Sequence, residues 1–135
     1  MFTAIGKAFA SGFFVLIAFS PLRIGRPVFV AGTALFVLGM AGLVIALFNF
    51  KGAPPGQPAI QGLYRVSRNP QWMMLVLMFL GVCLAIGSWA ALLLLAAAGV
   101  CYHFRILAEE RSCLDHYGDG YRDYMAQVPR YLLFL

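Results

Sequence analysis

Two adjacent carboxylates, Glu109 and Glu110, lie in a segment whose apolar residues follow helical spacing. At about 100° per residue, Glu110 falls in the middle of the apolar stripe, whereas Glu109 falls at its edge, one helical turn after Arg105. His103 lies two turns before Glu110 and therefore shares its face. The stripe consists of Ile106, Cys113, Leu114 and Tyr117. A carboxylate and an imidazole on the buried face predict a site for a charged ligand or for proton transfer.

A second polar segment precedes the third apolar run of the chain. There, Asn69 and Pro70 predict a helix start, with Asn69 as the N-cap and Pro70 at the first helical position. Arg65 and Arg68 fit two interpretations. In the first, they form a salt-bridge lattice at the membrane surface with the carboxylates and Arg111. In the second, they bind an anionic ligand. The residue types alone leave both interpretations open.

The elements that must position these residues are membrane spans. Of the 135 residues, 62% are hydrophobic and 11% charged, against roughly half and a quarter in an ordinary soluble domain. This composition excludes a water-soluble globule, because so few charged side chains cannot cover its surface. Uncharged runs predict a single all-α domain over residues 1–135, an integral membrane helical bundle. About four transmembrane helices are expected, at residues 5–20, 27–50, 70–86 and 89–107, before a cytoplasmic helical segment at 108–135.

Several local signals refine this arrangement. The segment 5–20 fits either a span or a signal peptide that is cleaved near Ser20. Gly87 and Ser88 interrupt a stretch that is too long for one crossing, which predicts a tight hairpin of two helices. Gly118 predicts the end of the last long helix, and a short surface helix is expected at 121–127. In the second span, small residues predict close packing of helices; they are Gly32, Gly39 and Gly42.

The charges along the chain indicate its orientation. With four spans, eight basic residues share one face, and only Arg23 and Arg26 lie on the other. The positive-inside rule then places both termini and the loop 51–71 in the cytoplasm. The net charge of +5 therefore indicates topology rather than nucleic-acid binding. The three cysteines lack the spacing of a metal site or a disulfide framework, so no metal is predicted.

The polar motifs occur in a defined order: Gly62–Pro70, Glu109–Leu114, Tyr117-Gly118 with Tyr121 and Tyr124, and Val128–Arg130. Together they resemble the isoprenylcysteine carboxyl methyltransferase and phospholipid methyltransferase family of integral membrane enzymes. In that family a Gly-x-Tyr-Arg, x-Arg-His/Asn-Pro-x-Tyr segment precedes a helical hairpin. Glu-Glu-x-x-Leu, Tyr/Phe-Gly-x-x-Tyr and Val-Pro-Arg follow it. The resemblance runs from Gly62 to Tyr131, about half of the chain.

This resemblance implies S-adenosylmethionine as methyl donor and a lipophilic or membrane-delivered small acceptor at the cytoplasmic face. It also implies membrane lipid as a partner and no nucleic acid. The implied catalytic residues are Glu110, Arg68 and His103. The implied cofactor-binding residues are Tyr64, Arg65, Arg68, Asn69, Pro70, His103, Glu109 and Glu110. These residue types suit the cofactor, because its carboxylate requires an arginine, its ammonium a carboxylate and its sulfonium an aromatic face.

The chain departs from the family pattern by one extra residue between Glu110 and Leu114 and at three single positions. Asn69 replaces a histidine of the best-known members, Trp72 stands where a tyrosine is usual, and Met74 where a glycine is frequent. The bulk of Met74 is expected to narrow the pocket near the helix start, and Trp72 has no phenol that exchanges a proton. These departures bear on the substrate more than on the reaction.

Two other classes of function remain open. Sterol-reductase-like membrane oxidoreductases resemble the carboxy-terminal half and bind a nicotinamide cofactor, although they are usually far longer. A non-enzymatic scaffold or accessory subunit, whose charged tail binds a partner or anionic lipid, also fits four spans. Binding of S-adenosylmethionine, of a nicotinamide dinucleotide or of neither separates the three classes. The acceptor atom, whether oxygen, nitrogen or sulfur, is not specified by the sequence.

Overall fold

The computed structural model describes residues 2–20, 26–54 and 57–132, apart from the side chains of residues 2–7, 9 and 10. The regular secondary structure of this part of the chain is entirely helical, with no strand, which confirms the predicted all-α class. Its α-helices are α1 (Phe2–Phe19), α2 (Pro27–Lys51), α3 (Pro70–Ile86), α4 (Trp89–Tyr117) and α5 (Asp119–Gln127). A 3-10 turn, Gly62–Arg65, lies between α2 and α3.

Two of the helices are long and apolar enough to cross a membrane, as judged from length and composition. They are α2 with 25 residues and α4 with 29. Helix α3 is apolar but has only 17 residues. Side chains on the outside of these helices are large and apolar, with Phe48 70% and Leu93 72% exposed, as expected of surfaces that face lipid. The count of four spans stays a prediction.

The hairpin between α3 and α4 forms as predicted. Gly87 takes a left-handed conformation, with φ of 61°, and its N–H donates to the carbonyl of Cys83 at 2.9 Å. Ser88 then caps α4, because its hydroxyl accepts a hydrogen bond from the N–H of Ala91 at 3.3 Å. Pro70 occupies the first position of α3, as expected. The two helices therefore run antiparallel, and the start of α3 lies beside the later turns of α4.

Helices α2 and α3 pack along a line of small residues. Gly32, Gly39 and Ala46, spaced by seven, are the buried residues of α2. A Cβ atom on Gly32 would lie 2.6 Å from the backbone nitrogen of Ala85 on α3, so only glycine permits this approach. The predicted packing role of these glycines is confirmed. The third glycine of the set, Gly42, faces the side chain of Met74.

Helix α1 packs against α4 at the hairpin end of the bundle. Phe13 is only 3% exposed and forms a core cluster with Cys83, Ile86 and Ala91. Neighbouring helices thus follow the order α1, α4, α3, α2. The opposite end, where α3 begins and α4 continues past its apolar part, carries the polar residues. Of the two arginines predicted on the far face, Arg26 is exposed and Arg23 lies outside the described residues.

Candidate active site

Glu110 is the buried charge around which the site is built. It lies on α4 and is only 4% exposed. Its Oε2 accepts two hydrogen bonds from Arg130, from Nε at 3.0 Å and from Nη2 at 2.9 Å. Its Oε1 lies 3.5 Å from Nε of Arg68, close enough for an ion pair but not aligned for a hydrogen bond. One carboxylate is therefore shared between two guanidinium groups.

Arg68 retains hydrogen-bonding capacity that this structure does not use. Its side chain is 8% exposed. Among the described residues, its Nε and Nη1 have no hydrogen-bond partner, and neither does Oε1 of Glu110. Buried donors and acceptors of this kind are costly unless a further group satisfies them. Arg68 and Glu110 are thus placed to receive a ligand that carries both a negative and a positive group.

The carboxy-terminal segment Val128–Tyr131 holds Arg68 in place. The backbone N–H of Arg68 donates to the carbonyl of Pro129 at 3.0 Å. The hydroxyl of Ser67, which is only 2% exposed, donates to the carbonyl of Arg130 at 3.0 Å. The side chain of Asn69 donates to the same carbonyl at 3.4 Å. Asn69 therefore occupies the predicted N-cap position of α3, but its side chain does not cap the helix, because it bonds to this segment instead.

These groups open onto a cavity of about 690 Å³, a size typical of small-molecule sites. One wall is the proline-rich loop after α2, with Pro54 and Pro58, and another is the face of α4 that carries Glu110. Aromatic side chains form most of the remainder. They are Phe50, Tyr64, Trp72, Tyr102, Tyr117, Tyr121 and Tyr124. The cavity thus combines charged groups with many aromatic faces.

The aromatic side chains are held by specific contacts. Trp72 of α3 stacks on Tyr102 of α4, with ring centroids 3.9 Å apart and planes within 5° of parallel. The guanidinium of Arg105 lies 5.2 Å from the centroid of the Tyr102 ring. The hydroxyl of Tyr124 donates to the carbonyl of Tyr64 at 2.7 Å and joins α5 to the 3-10 turn. These contacts fix the shape of the aromatic wall.

Three phenols of the cavity, those of Tyr64, Tyr121 and Tyr124, have pKa values above the ordinary value of a tyrosine. Burial raises the pKa of Tyr121 and of Tyr124 above the ordinary value of a tyrosine. Burial also raises the pKa of Tyr64, although a hydrogen bond from Gln71 to its hydroxyl opposes this effect. The thiol of Cys113, which lines the same cavity, likewise has a pKa raised by burial. These groups present neutral hydroxyls, a neutral thiol and π faces to a ligand rather than anions.

The structure brings together most of the residues singled out from the sequence. Those that line the cavity are Tyr64, Arg68, Asn69, Glu109 and Glu110. Three others do not line it. Arg65 is exposed on the 3-10 turn, and Pro70 is buried at the start of α3. His103 forms a 2.8 Å hydrogen bond between its Nδ1 and the hydroxyl of Tyr131.

The predicted helix phase of the two carboxylates is confirmed. Glu109 has a side chain 53% exposed and accepts a 2.8 Å hydrogen bond from Nε of Arg105, whereas Glu110 faces inward. The partners of Glu110 differ from the predicted lattice. Arg65 and Arg111 are exposed, and Arg130 takes their place. Arg130 is reached because the chain reverses at Gly118, whose φ is 61°, and α5 returns it toward α4.

Sequence reasoning missed two further features of the site. Tyr102 was not expected to contribute, and its stacking on Trp72 follows only from the hairpin register. Met74 was expected to narrow the pocket, but it does not line the cavity, since its side chain fills the space beside Gly42 on α2. The Val128–Arg130 motif was the one available signal for Arg130.

No three histidine, cysteine or acidic side chains lie close enough to hold a metal ion within the part of the chain that the structure describes. In comparisons with known proteins, the family model described as phospholipid methyltransferase matches residues 49–120. This match covers just over half of the chain and includes the 3-10 turn, the hairpin and the Glu109-Glu110 pair. Neither the curated proteins nor the solved structures gave a match.

Proposed function

The chain belongs to the phospholipid methyltransferase family, and we propose that it transfers a methyl group from S-adenosylmethionine to a lipophilic or membrane-delivered acceptor. Methyltransferase activity on lipid-type substrates is what the family indicates. The proposal adds the methyl donor, the site and its side of the membrane. We propose that the reaction occurs in the cavity between α3, α4 and α5. The positive-inside rule, applied to the basic residues of the chain, favours the cytoplasmic side for this cavity.

The observation that carries this proposal is the Arg68–Glu110 pair. Two buried nitrogens of Arg68 and one buried oxygen of Glu110, at the wall of the cavity, have no hydrogen-bond partner among the residues that the structure describes. S-adenosylmethionine carries a carboxylate and an ammonium on the same carbon atom. We propose that Arg68 binds this carboxylate and that Glu110 binds the ammonium, since opposite charges at hydrogen-bonding distance satisfy both buried groups.

Other residues of the cavity have supporting roles in the proposal. The faces of Trp72 and Tyr102, together with the phenols of Tyr64, Tyr121 and Tyr124, would surround the cationic part of the ligand. Glu109 and Asn69 supply oxygen acceptors for the ribose hydroxyls. His103 does not line the cavity and forms a hydrogen bond with Tyr131 instead. We therefore propose that it supports the carboxy-terminal segment rather than transferring a proton.

When bound, S-adenosylmethionine supplies an activated methyl group on a sulfonium that leaves as a neutral thioether. The protein then has three tasks: to orient the acceptor in line with that methyl group, to exclude water and to bind the charges of the donor. Glu110 already interacts with two guanidinium groups, which suits charge binding. An acceptor that arrives as a carboxylate or a thiolate needs no base, whereas an amine must also lose a proton, which in this cavity falls to Glu110 because His103 does not line it.

Ligand binding to the purified protein in detergent tests this proposal. Isothermal calorimetry and thermal unfolding are measured with S-adenosylmethionine, with its demethylated product and with a nicotinamide dinucleotide. We expect binding and thermal stabilisation by the first two ligands only. Transfer of a labelled methyl group to lipid vesicles is then measured, to determine whether a membrane lipid is the acceptor. Absence of heat and of stabilisation with both adenosyl ligands contradicts the proposal, and binding of the dinucleotide instead favours an oxidoreductase.

A further inference from the structure

We propose that Arg130 is a positioning residue that keeps the Arg68–Glu110 pair open for a zwitterionic ligand. This inference rests on the proposed function, since it concerns the same site, but it assigns a role to a residue that lies outside the cavity lining. It also falls beyond residues 49–120, which match the family model. Its basis is the distribution of hydrogen bonds around one carboxylate.

Arg130 places both of its hydrogen bonds on the same oxygen of Glu110. Its Nε and Nη2 reach Oε2 at 3.0 and 2.9 Å, while Oε1 receives no hydrogen bond from any residue in the described part of the chain. The carboxylate is thereby fixed with Oε1 directed toward Arg68, from which it stays 3.5 Å away. The guanidinium of Arg68 therefore keeps its unused donors, and the carboxy-terminal segment supplies the guanidinium that fixes the carboxylate.

Without the Arg130 side chain, Glu110 and Arg68 would satisfy each other. Both are buried, with side chains 5% and 8% exposed, and a carboxylate and a guanidinium readily close into a two-hydrogen-bond pair. A ligand would then have to break that pair before binding either group. The formal charge of the cluster would also fall from +1 to zero, which removes attraction for the ligand's carboxylate.

The backbone of the same segment provides a second, separable contribution. The carbonyls of Pro129 and Arg130 accept the hydrogen bonds from Arg68 and Ser67 that hold the turn before α3. A substitution of the Arg130 side chain leaves these carbonyls in place. The variant is therefore expected to keep the turn and to lose only the fixation of Glu110.

The test measures the Kd of the demethylated cofactor product by calorimetry for the wild type, Arg130→Ala, Arg130→Lys and a control, Arg122→Ala. Arg122 also belongs to the carboxy-terminal region, but its partner is Asp119 and both side chains are mostly exposed, at 74% and 89%. We expect Arg130→Ala to raise the Kd by about tenfold or more, as loss of a supporting hydrogen-bond partner typically does. Arg130→Lys should give a smaller increase, because an ammonium retains the charge without the fork. Arg122→Ala should leave the Kd unchanged.

A double-mutant cycle separates positioning from general destabilisation. If Arg130 acts through Glu110, then Arg130→Ala should change the Kd less than about twofold once Glu110→Gln is present. The inference would be overturned if Arg130→Ala raised the Kd by the same factor in the wild type and in Glu110→Gln. An unchanged Kd in Arg130→Ala would also overturn it. Should that variant fail to fold, the Arg130→Lys comparison decides on the same criteria. A wild type that binds no adenosyl ligand overturns the proposed function itself, whereas a binding wild type with an equally good Arg130 variant overturns this inference alone.

Discussion

Replacing Glu110 by glutamine is the most informative single change in this protein. The substitution keeps the volume of the side chain and one acceptor oxygen but removes its negative charge. Arg130 then faces a neutral amide in place of the carboxylate that accepts its two hydrogen bonds, and Arg68 loses its nearest counter-charge. The matched control is Glu109→Gln, in which the same chemical change occurs one residue earlier on the exposed side of α4.

The expected magnitudes follow from burial. Removal of one partner from a buried, hydrogen-bonded charge pair typically costs about 2–5 kcal/mol. The lower end applies to Glu110, because glutamine still accepts one hydrogen bond and Arg130 is 23% exposed and becomes hydrated. Glu109 and Arg105 are 53% and 52% exposed, and pairs of that kind contribute about 0.2–1 kcal/mol. Loss of a charge-assisted bond to the ligand, about 1.5–3 kcal/mol, corresponds to a Kd raised roughly tenfold to a hundredfold.

The assay combines unfolding of the ligand-free protein with calorimetric binding of S-adenosylmethionine and its demethylated product. Glu110→Gln should fold with a free energy of unfolding about 2 kcal/mol lower than the wild type, bind weakly and lose methyl transfer. The free energy of unfolding of Glu109→Gln should stay within about 1 kcal/mol of the wild-type value. The variant should bind nearly as well as the wild type, because its amide oxygen still accepts a hydrogen bond from a ribose hydroxyl. If Glu109→Gln is the variant that loses binding, the assignment of the ammonium to Glu110 is wrong. If both variants bind normally, the site lies elsewhere.

Three further predictions concern other parts of the molecule. Arg68→Ala should raise the Kd for the cofactor by at least about tenfold, measured by calorimetry, while Arg26→Ala on the far side leaves it unchanged. Gly39→Leu should prevent stable folding, measured by circular dichroism and gel filtration, because a Cβ there would meet the backbone of α3 at 2.5 Å. The raised pKa of Tyr124 adds stability that is complete below about pH 10 and is lost as the pH rises further. Tyr124→Phe should accordingly flatten the fall in melting temperature above that pH, since no buried phenol remains at this position to ionise.

The helices and the phase of the carboxylates were predictable because both depend on local sequence. The predicted bounds of the third span agree with those of α3, Pro70–Ile86. They came from the charge-free run and from the signals at its two ends, Asn69-Pro70 and Gly87-Ser88. The spacing of apolar residues placed Glu110 inside and Glu109 outside, and the exposures of the two side chains agree. Such features require only the geometry of one helix.

The remaining features depend on contacts between distant segments. Nothing in the composition of the last 20 residues indicates that Arg130 returns to Glu110, because that contact requires the reversal at Gly118 and the length of α5. The stacking of Trp72 on Tyr102 depends on the register of the α3–α4 hairpin. The proline-rich loop forms a cavity wall through its tertiary position alone, because prolines and glycines are typical of any irregular connector.

The contact between Met74 and Gly42 implies that these two positions share one volume. A Cβ on Gly42 would collide with the sulfur of Met74, and the α2–α3 backbones at the neighbouring Gly39 are already too close to move nearer. A large residue is therefore admissible at one of the two positions only while the other stays small. Related chains that carry glycine at the position of Met74 are free to enlarge the residue facing it on α2. Covariation of this pair across the family would report helix spacing, independently of which acceptor each enzyme methylates.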